Sequence, residues 1–473
     1  MRMLRWLIVP VLWLATVVWS TPVHILATGD MHGWVEAQPA EGQVLGGAAE
    51  MLAYWQRVEH YTPKQFLVIS CGDNFTGPAI STAFQGQPVV EAMTRMGYDV
   101  SVVGNHEFDF GRARMLEIFH TSPFPYLAAN LQTADGAPCT LAAPYTIYTE
   151  QGVKVGIIGL SPVDLASLAS TDGVRATAYV ETLRRVVPEV RAKGADVVIV
   201  AAHASFPEMV QVARQVQDLD IPLIFGAHDH TLAASREGHT WVLNNGEWWH
   251  AYSRVDLEYN PATHRTVTVA EKQVWLQQQA PKADPTLAAI VAHWKGRLAD
   301  EYERPVAYSA TGVARTAPLY NFIVDCWLAQ HPTADAALSN LGGFRQDIPA
   351  GVVTRGVILG VMPFNNALYN VRLTGAELLA YLAVPDNRGG LAGLRRADNG
   401  FLVLKTGQPV DPAAVYHVLL NSFMYQQSPA LRAADPHPAT AAADWRHPVL
   451  DWLAAHPTSK EKPLETLVDG NAR

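Results

Sequence analysis

"VVGNHEFDFG", residues 102–111, sets Asn105, His106, Glu107 and Asp109 within five positions, directly behind an apolar run. Packing gives no reason to finish a buried strand in so many ligand-type side chains. The same arrangement recurs through the first half of the chain. The apolar runs "VHILATGD" (23–30), "FLVISCGD" (66–73), "DVVIVAAHAS" (196–205) and "IPLIFGAHDH" (221–230) finish at Asp30-Met31-His32, Asp73-Asn74, His203 and His228-Asp229-His230. "VKVGIIGL" (153–160) and "TWVLNNGE" (240–247) are further runs of this kind. Helical stretches alternate with them, among them "GAAEMLAYWQRVEH" (47–60) and "YVETLRRVVPEVRAKG" (179–194), the second closed by Gly194 as a C-cap. Short apolar strands alternating with helices predict an α/β sheet covered on both faces.

In open α/β sheets the carboxyl ends of the strands gather around one crevice. Five strands would then bring Asp30, His32, Asp73, Asn105, His203, His228 and His230 together. Carboxylate, amide and imidazole donors suit Mn²⁺, Zn²⁺, Co²⁺ or Fe. Seven ligands are too many for one tetrahedral ion and about right for two ions sharing a carboxylate. Two ions about 3.5–4 Å apart activate a bridging water and steady both oxygens of an in-line displacement. Each piece alone is weak. "GDN" is a common turn, and in "HDH" Asp229 can hydrogen-bond its own backbone. The joint placement at strand ends is what carries the reading.

Net charge is −9, with 49% hydrophobic and 17% charged residues, which predicts large cores and argues against nucleic acid as a partner. A chain of 473 residues predicts more than one domain. Arg2 and Arg5 precede the apolar run Trp6–Trp19, of about 14 residues, so cleavage after Ser20 is expected rather than a retained membrane anchor. No later stretch is long enough to span a bilayer, and the mature protein is expected to be exported without an anchor. Cys71, Cys139 and Cys326 are too few and too uneven for a disulfide framework and are expected to be unpaired and buried. Pro281 and Pro285 punctuate a polar stretch before a helix. The expected division is a leader at 1–20, a first domain at 21–277, a linker helix at 278–303 and a second, mixed domain at 304–473.

"GDMHG", "GDNFTG", "GNHEFDFG", "AAHAS" and "GAHDHT", in this order, resemble the calcineurin-like metallophosphoesterases, and "NHEFD" resembles their 5'-nucleotidase branch. "RTAPLYNFIVDCW", "SNLGGFRQDIPAG" and "MPFNNALYNVRLTGAEL" are similar to the substrate domain of that branch. The resemblance covers nearly the whole mature chain. It implies a four-layer αββα sandwich followed by a mixed α/β domain, and an exported phosphohydrolase that acts on nucleotides. Asp30, His32 and His230 would hold one divalent ion, Asn105, His203 and His228 the other, and Asp73 both. His106 would act on the leaving oxygen, with Asp109 orienting it. Glu107 acquires no role and is expected to face away as a structural residue. Arg315 and Arg345 would grip phosphate, and guanidinium forks suit its oxygens. Asn340, Phe364 and Phe423 would contact the base. The family also implies rotation of the second domain, with Leu287–Tyr302 as the hinge region.

The chain departs from this pattern after Phe423. A "GGDGY"-like loop, whose Asp holds ribose in the family, is replaced by "NSFMYQQSPALRAAD" (421–435). Glu50 and Ala227 are milder departures. Hydrolysis of a nucleotide sugar, cyclic nucleotide or sugar phosphate, a thiohydrolase variant, and a binding protein without catalysis are therefore the alternative expectations. Oligomeric state has no signal in the sequence.

Overall fold

The computed structural model describes residues 20–40, 43–171, 173–279, 281–397 and 400–468. The leader expected before Ser20 lies outside the described residues. Two six-stranded sheets form the first domain. One runs 265–275, 251–260, 21–28, 67–70, 100–102, 126–127, and the other 232–237, 240–245, 223–226, 197–202, 153–160, 145–150. The ligand-bearing strands are parallel to their neighbours at the centre of each sheet, with Ile69 opposite Val100 and Ile199 opposite Ile157. Antiparallel strands close the outer edges on one side of the first sheet and both sides of the second.

The sheets pack face to face. Val23, Ile25, Ile69 and Val102 of one meet Ile157, Ile199, Leu223 and Phe225 of the other in a fully buried layer. The outer face of the first sheet is covered by helices that include Ala48–Val58 and Gln87–Met96. The second is covered by Tyr179–Ala192 and Phe206–Gln215. Strands buried on both faces explain why their sequences are apolar without alternation. Gly194, at φ +94°, follows the helix Tyr179–Ala192 as its left-handed terminator.

The helix Pro285–Tyr302 packs onto the first domain. Its N-cap Asp284 accepts from Leu287 N at 2.9 Å and pairs with Arg95 at 2.9 Å. Leu287 and Trp294 are buried in the first domain's core, and Trp294 Nε1 donates to Glu91 Oε2 at 3.0 Å. Most of the helix is thus packed on the first domain. Beyond it, a five-stranded sheet in the order 390–392, 336–339, 415–421, 368–374, 439–442 carries helices on both faces. Trp327, Trp445 and Phe344 centre one core of this domain, and Leu378, Leu382 and Leu420 the other. Cys71, Cys139 and Cys326 are unpaired; Cys139, set in an irregular segment at the surface, is half-buried rather than buried. Among the described residues no helix is long and apolar enough to cross a membrane.

Candidate metal centre

The carboxyl ends of the central strands of both sheets converge. Three overlapping groups result, Asp30–His32–His230, His32–Asp73–His106 and Asp73–His203–His228, with the ligand atoms of each within 4.8 Å of one another. Asp73 Oδ2 lies 3.8 Å from His32 Nε2 and 3.0 Å from His203 Nε2, so one carboxylate faces both halves of the site. His32 Nε2 and His230 Nε2 approach to 3.2 Å, and His228 Nδ1 and His203 Nε2 to 3.1 Å.

Backbone conformation aims these groups. Asp30, His32, Asp73, His228 and His230 have φ of +49°, +44°, +54°, +78° and +61°. Asp and His tolerate the left-handed region better than most residues, yet such positions cost about 1–3 kcal/mol each and cluster at functional sites. Cross-strand hydrogen bonds hold them, His32 N donating to Asp73 O at 2.9 Å and His228 N to Asp30 Oδ2 at 2.7 Å. Gly104 is required for close approach, since a Cβ there would sit 2.2 Å from Asp73 Oδ1.

The donors fit divalent cations. Asp30 Oδ1 and Asn105 Oδ1 are buried without a hydrogen-bond partner, an expensive state for an oxygen facing no cation. Histidine tautomers are fixed from behind. His32 Nδ1 meets Thr76 O at 3.1 Å, His203 Nδ1 meets Cys71 O at 2.9 Å, and His230 Nδ1 meets the Glu247 carboxylate. Burial and the neighbouring Arg345 cation hold His32 well below the usual imidazole range, and burial with His203 pulls His228 down to about 4. Both therefore present lone pairs. Burial also works against a charged His203, but Asp73 outweighs it and lifts that imidazole to about 10, so positive charge is favoured between the two.

Glu107 does not face away. It is 1% exposed and accepts from Asn74 N (2.9 Å) and Asn74 Nδ2 (2.8 Å) on one oxygen and from Asp73 N (3.1 Å) and Gly104 N (2.7 Å) on the other. It ties two ligand loops together from beneath, which is the structural role expected of it, reached from the opposite side. Its inward course follows from those otherwise unpaired backbone donors. Glu247 is a further residue that the sequence reading missed. Its signal was present, because "TWVLNNGE" ends in a carboxylate as the ligand-bearing runs do.

His106 stands over the centre, Nε2 3.9 Å from Asp73 Oδ2 and Nδ1 2.7 Å from Asp109 Oδ2. Burial would lower its pKa, but Asp109 and Asp73 more than compensate and raise it. From the second domain Arg345 Nη2 reaches to 3.2 Å from His32 Nε2, and Phe364 stacks on His106 at 5.8 Å between ring centroids. These groups, with Asn340 and Phe423, line a cavity of about 1040 Å³ between the domains. Arg315 is apart from the others. It is exposed and does not line the cavity; its guanidinium lies behind Arg345, donating to that residue's carbonyl at 3.4 Å.

Comparison with known proteins agrees with this geometry. The calcineurin-like phosphoesterase family matches residues 23–232, and the 5'-nucleotidase C-terminal domain matches residues 296–429. The chain is 26% identical to endonuclease YhcR of Bacillus subtilis over 85% of its own length, spanning 37% of that protein. A 5'-nucleotidase precursor from Thermus thermophilus superposes with a TM-score of 0.81 at 22% identity, over 93% of this chain and 97% of that one. A sulfate thiohydrolase from the same organism superposes at 0.73 and 18% identity, over 93% and 96%. With both domains matched and the ligand groups gathered at the strand ends of the first, the chain belongs to the calcineurin-like metallophosphoesterase and 5'-nucleotidase family.

Proposed function

We propose that this protein is an exported phosphohydrolase with two divalent ions, releasing phosphate from nucleotides or a closely related small phosphoester. The observation that carries the reading is the set of three ligand groups sharing Asp73 and His32 at the floor of a cavity capped by Arg345. Asp30, His32 and His230 would hold one ion, Asn105, His203 and His228 the other, and Asp73 both. When bound, such ions supply a water nucleophile at neutral pH and neutralise charge on the phosphoryl oxygens.

The chain's own groups do the rest. Arg345 binds a phosphate oxygen through its guanidinium. His106, held through Nδ1 by Asp109, presents Nε2 to the leaving oxygen and gives it a proton as the ester P–O bond breaks. Phe364, Phe423 and Asn340 contact the leaving group, and Arg315 supports Arg345 from behind. The domain limits 21–277, 278–303 and 304–473 belong to the same reading, as does export by cleavage after Ser20.

The test is hydrolysis by the Mn²⁺-loaded protein, read as free phosphate from AMP, UMP, ATP and p-nitrophenyl phosphate and as the released phosphomonoester from a UDP-sugar, a cyclic nucleotide and a short single-stranded oligonucleotide, beside His106→Ala. Release from nucleoside monophosphates, reduced at least 100-fold in the variant, supports the reading. Release from none of these with two ions bound overturns it.

A further inference from the structure

We infer that Glu247 makes the two halves of the metal centre unequal, so that the ion between Asp30, His32 and His230 is held tightly and its neighbour exchangeably. The inference rests on the two-ion phosphohydrolase reading and adds an order of binding to it. Asp73 faces both halves. Beyond that carboxylate, the first half has the charge of the buried Asp30 and the Glu247 carboxylate against His230 Nδ1. The second half has two imidazoles and the neutral amide of Asn105. A full negative charge behind an imidazole raises its basicity as a ligand, and loss of such a partner costs about 10–100-fold in metal affinity.

The backbone is fixed on the same side. The turn at 246–250 reaches both strand ends of the first half, Gly246 N donating to Thr231 O at 2.8 Å and Trp248 N to Asp30 O at 2.9 Å. Glu247 stands between these two anchors, and the Trp248 ring meets His230 edge-on at 6.4 Å between centroids. Every ligand of this half is thus held from behind, since Asp30 Oδ2 accepts from His228 N and His32 Nδ1 meets Thr76 O. In the second half His203 is backed by Cys71 O, but His228 turns Nδ1 toward His203 Nε2 and has no protein partner on Nε2 among the described residues. Other carboxylates near the second half are committed elsewhere. Glu107 is taken up by four N–H groups and Asp109 by His106 Nδ1. Asp164 is exposed and its carboxylate bonds to no ligand. Arg345 opposes the first half, 3.2 Å from His32 Nε2, but its charge acts on Asp73 and Asp109 before Asp30.

The test titrates the full chain, stripped with EDTA, with Mn²⁺ and counts the free ion by its electron paramagnetic resonance signal. Two binding steps about tenfold or more apart are expected. Glu247→Gln keeps an acceptor for His230 and removes only the charge. It is expected to weaken the tight step by about tenfold or more and to leave the weak step nearly unchanged. His228→Ala is expected to abolish the weak step and spare the tight one, with Asn105→Ala as a second variant of that half. Equal steps in the parent, a tight step unmoved by Glu247→Gln, or a tight step lost in both His228→Ala and Asn105→Ala would overturn the inference. Urea unfolding of the metal-free Glu247→Gln protein is expected to match the parent. A lower midpoint with both steps weakened together would mark a merely structural residue and overturn the inference too. Unequal steps without hydrolysis of any ester overturn the phosphohydrolase reading alone, hydrolysis with equal steps overturns this inference alone, and no bound ion overturns both.

Discussion

Glu107 accepts four hydrogen bonds, three of them from backbone N–H groups of Asp73, Asn74 and Gly104, and both of its oxygens are used. Glu107→Gln turns one acceptor oxygen into an amide N–H₂ facing two N–H groups. Each buried donor left unsatisfied costs about 1–3 kcal/mol. The variant is expected to lose stability by that order in urea unfolding of the metal-free protein and to retain less than two ions per chain after dialysis. At this scale much was legible. Asp30, His32, Asp73, Asn105, His203, His228 and His230 could be named because each follows an apolar run. Glu107 was visible but aimed the wrong way, since direction at a strand end depends on which backbone donors need a partner. Arg315 shares a motif with the substrate domain yet stands behind Arg345, a difference of side-chain course that spacing does not encode.

The runs read as strands are strands, because a segment apolar on both faces has few alternatives to a sheet interior. Their division between two sheets is another matter. "VSVVGNHE" and "VKVGIIGL" look alike, yet one joins the first sheet and the other the second, and only pairing over long separations decides this. The linker was legible as a helix; its attachment to the first domain rests on Asp284, Leu287 and Trp294 meeting Arg95 and Glu91. One element gives a pH prediction. Near the C-terminus Glu465 binds the strand Pro305–Ser309 and the residues after it. Burial opposes its charge, but the Thr311 N–H, the Ser309 hydroxyl and the Ala310 N–H pull its pKa down to about 2. A carboxylate depressed in the folded state stabilises fully above its unfolded pKa, near 4.5, and that contribution is lost as pH falls toward 2. Glu465→Gln is therefore expected to be less stable than the parent at pH 7 in guanidinium unfolding, with the gap narrowing steadily from pH 4.5 to pH 2.

Both domains shape the cavity, and their contacts are distant in sequence. Ser170 and Gln426 are 256 residues apart, and His32 and Arg345 are 313 apart. Closure of this kind had no local signature, whereas the order of the two domains did. Arg345 Nη2 lies against His32 Nε2, the lone pair that a bound ion would take. Ions that bind only the folded chain stabilise it by mass action, about 2.7 kcal/mol per site at a free concentration a hundred times Kd. Mn²⁺ is accordingly expected to raise Tm, and EDTA to reverse the gain, in a calorimetric scan. An unchanged Tm in the presence of Mn²⁺ would count against the site as a metal centre.

The shared ligands also fix an order of events. Asp30 and the His228 loop are 198 residues apart, and the five groups with left-handed backbone take that shape only when both sheets are in register. An unfolded chain therefore offers no pre-assembled site to an ion. Folding comes first and metal second. Because nitrogen and oxygen ligands of this kind accept several ions, the choice among them would fall to the supply wherever the last strand docks, and the same polypeptide finished in two different surroundings would become two different metalloproteins.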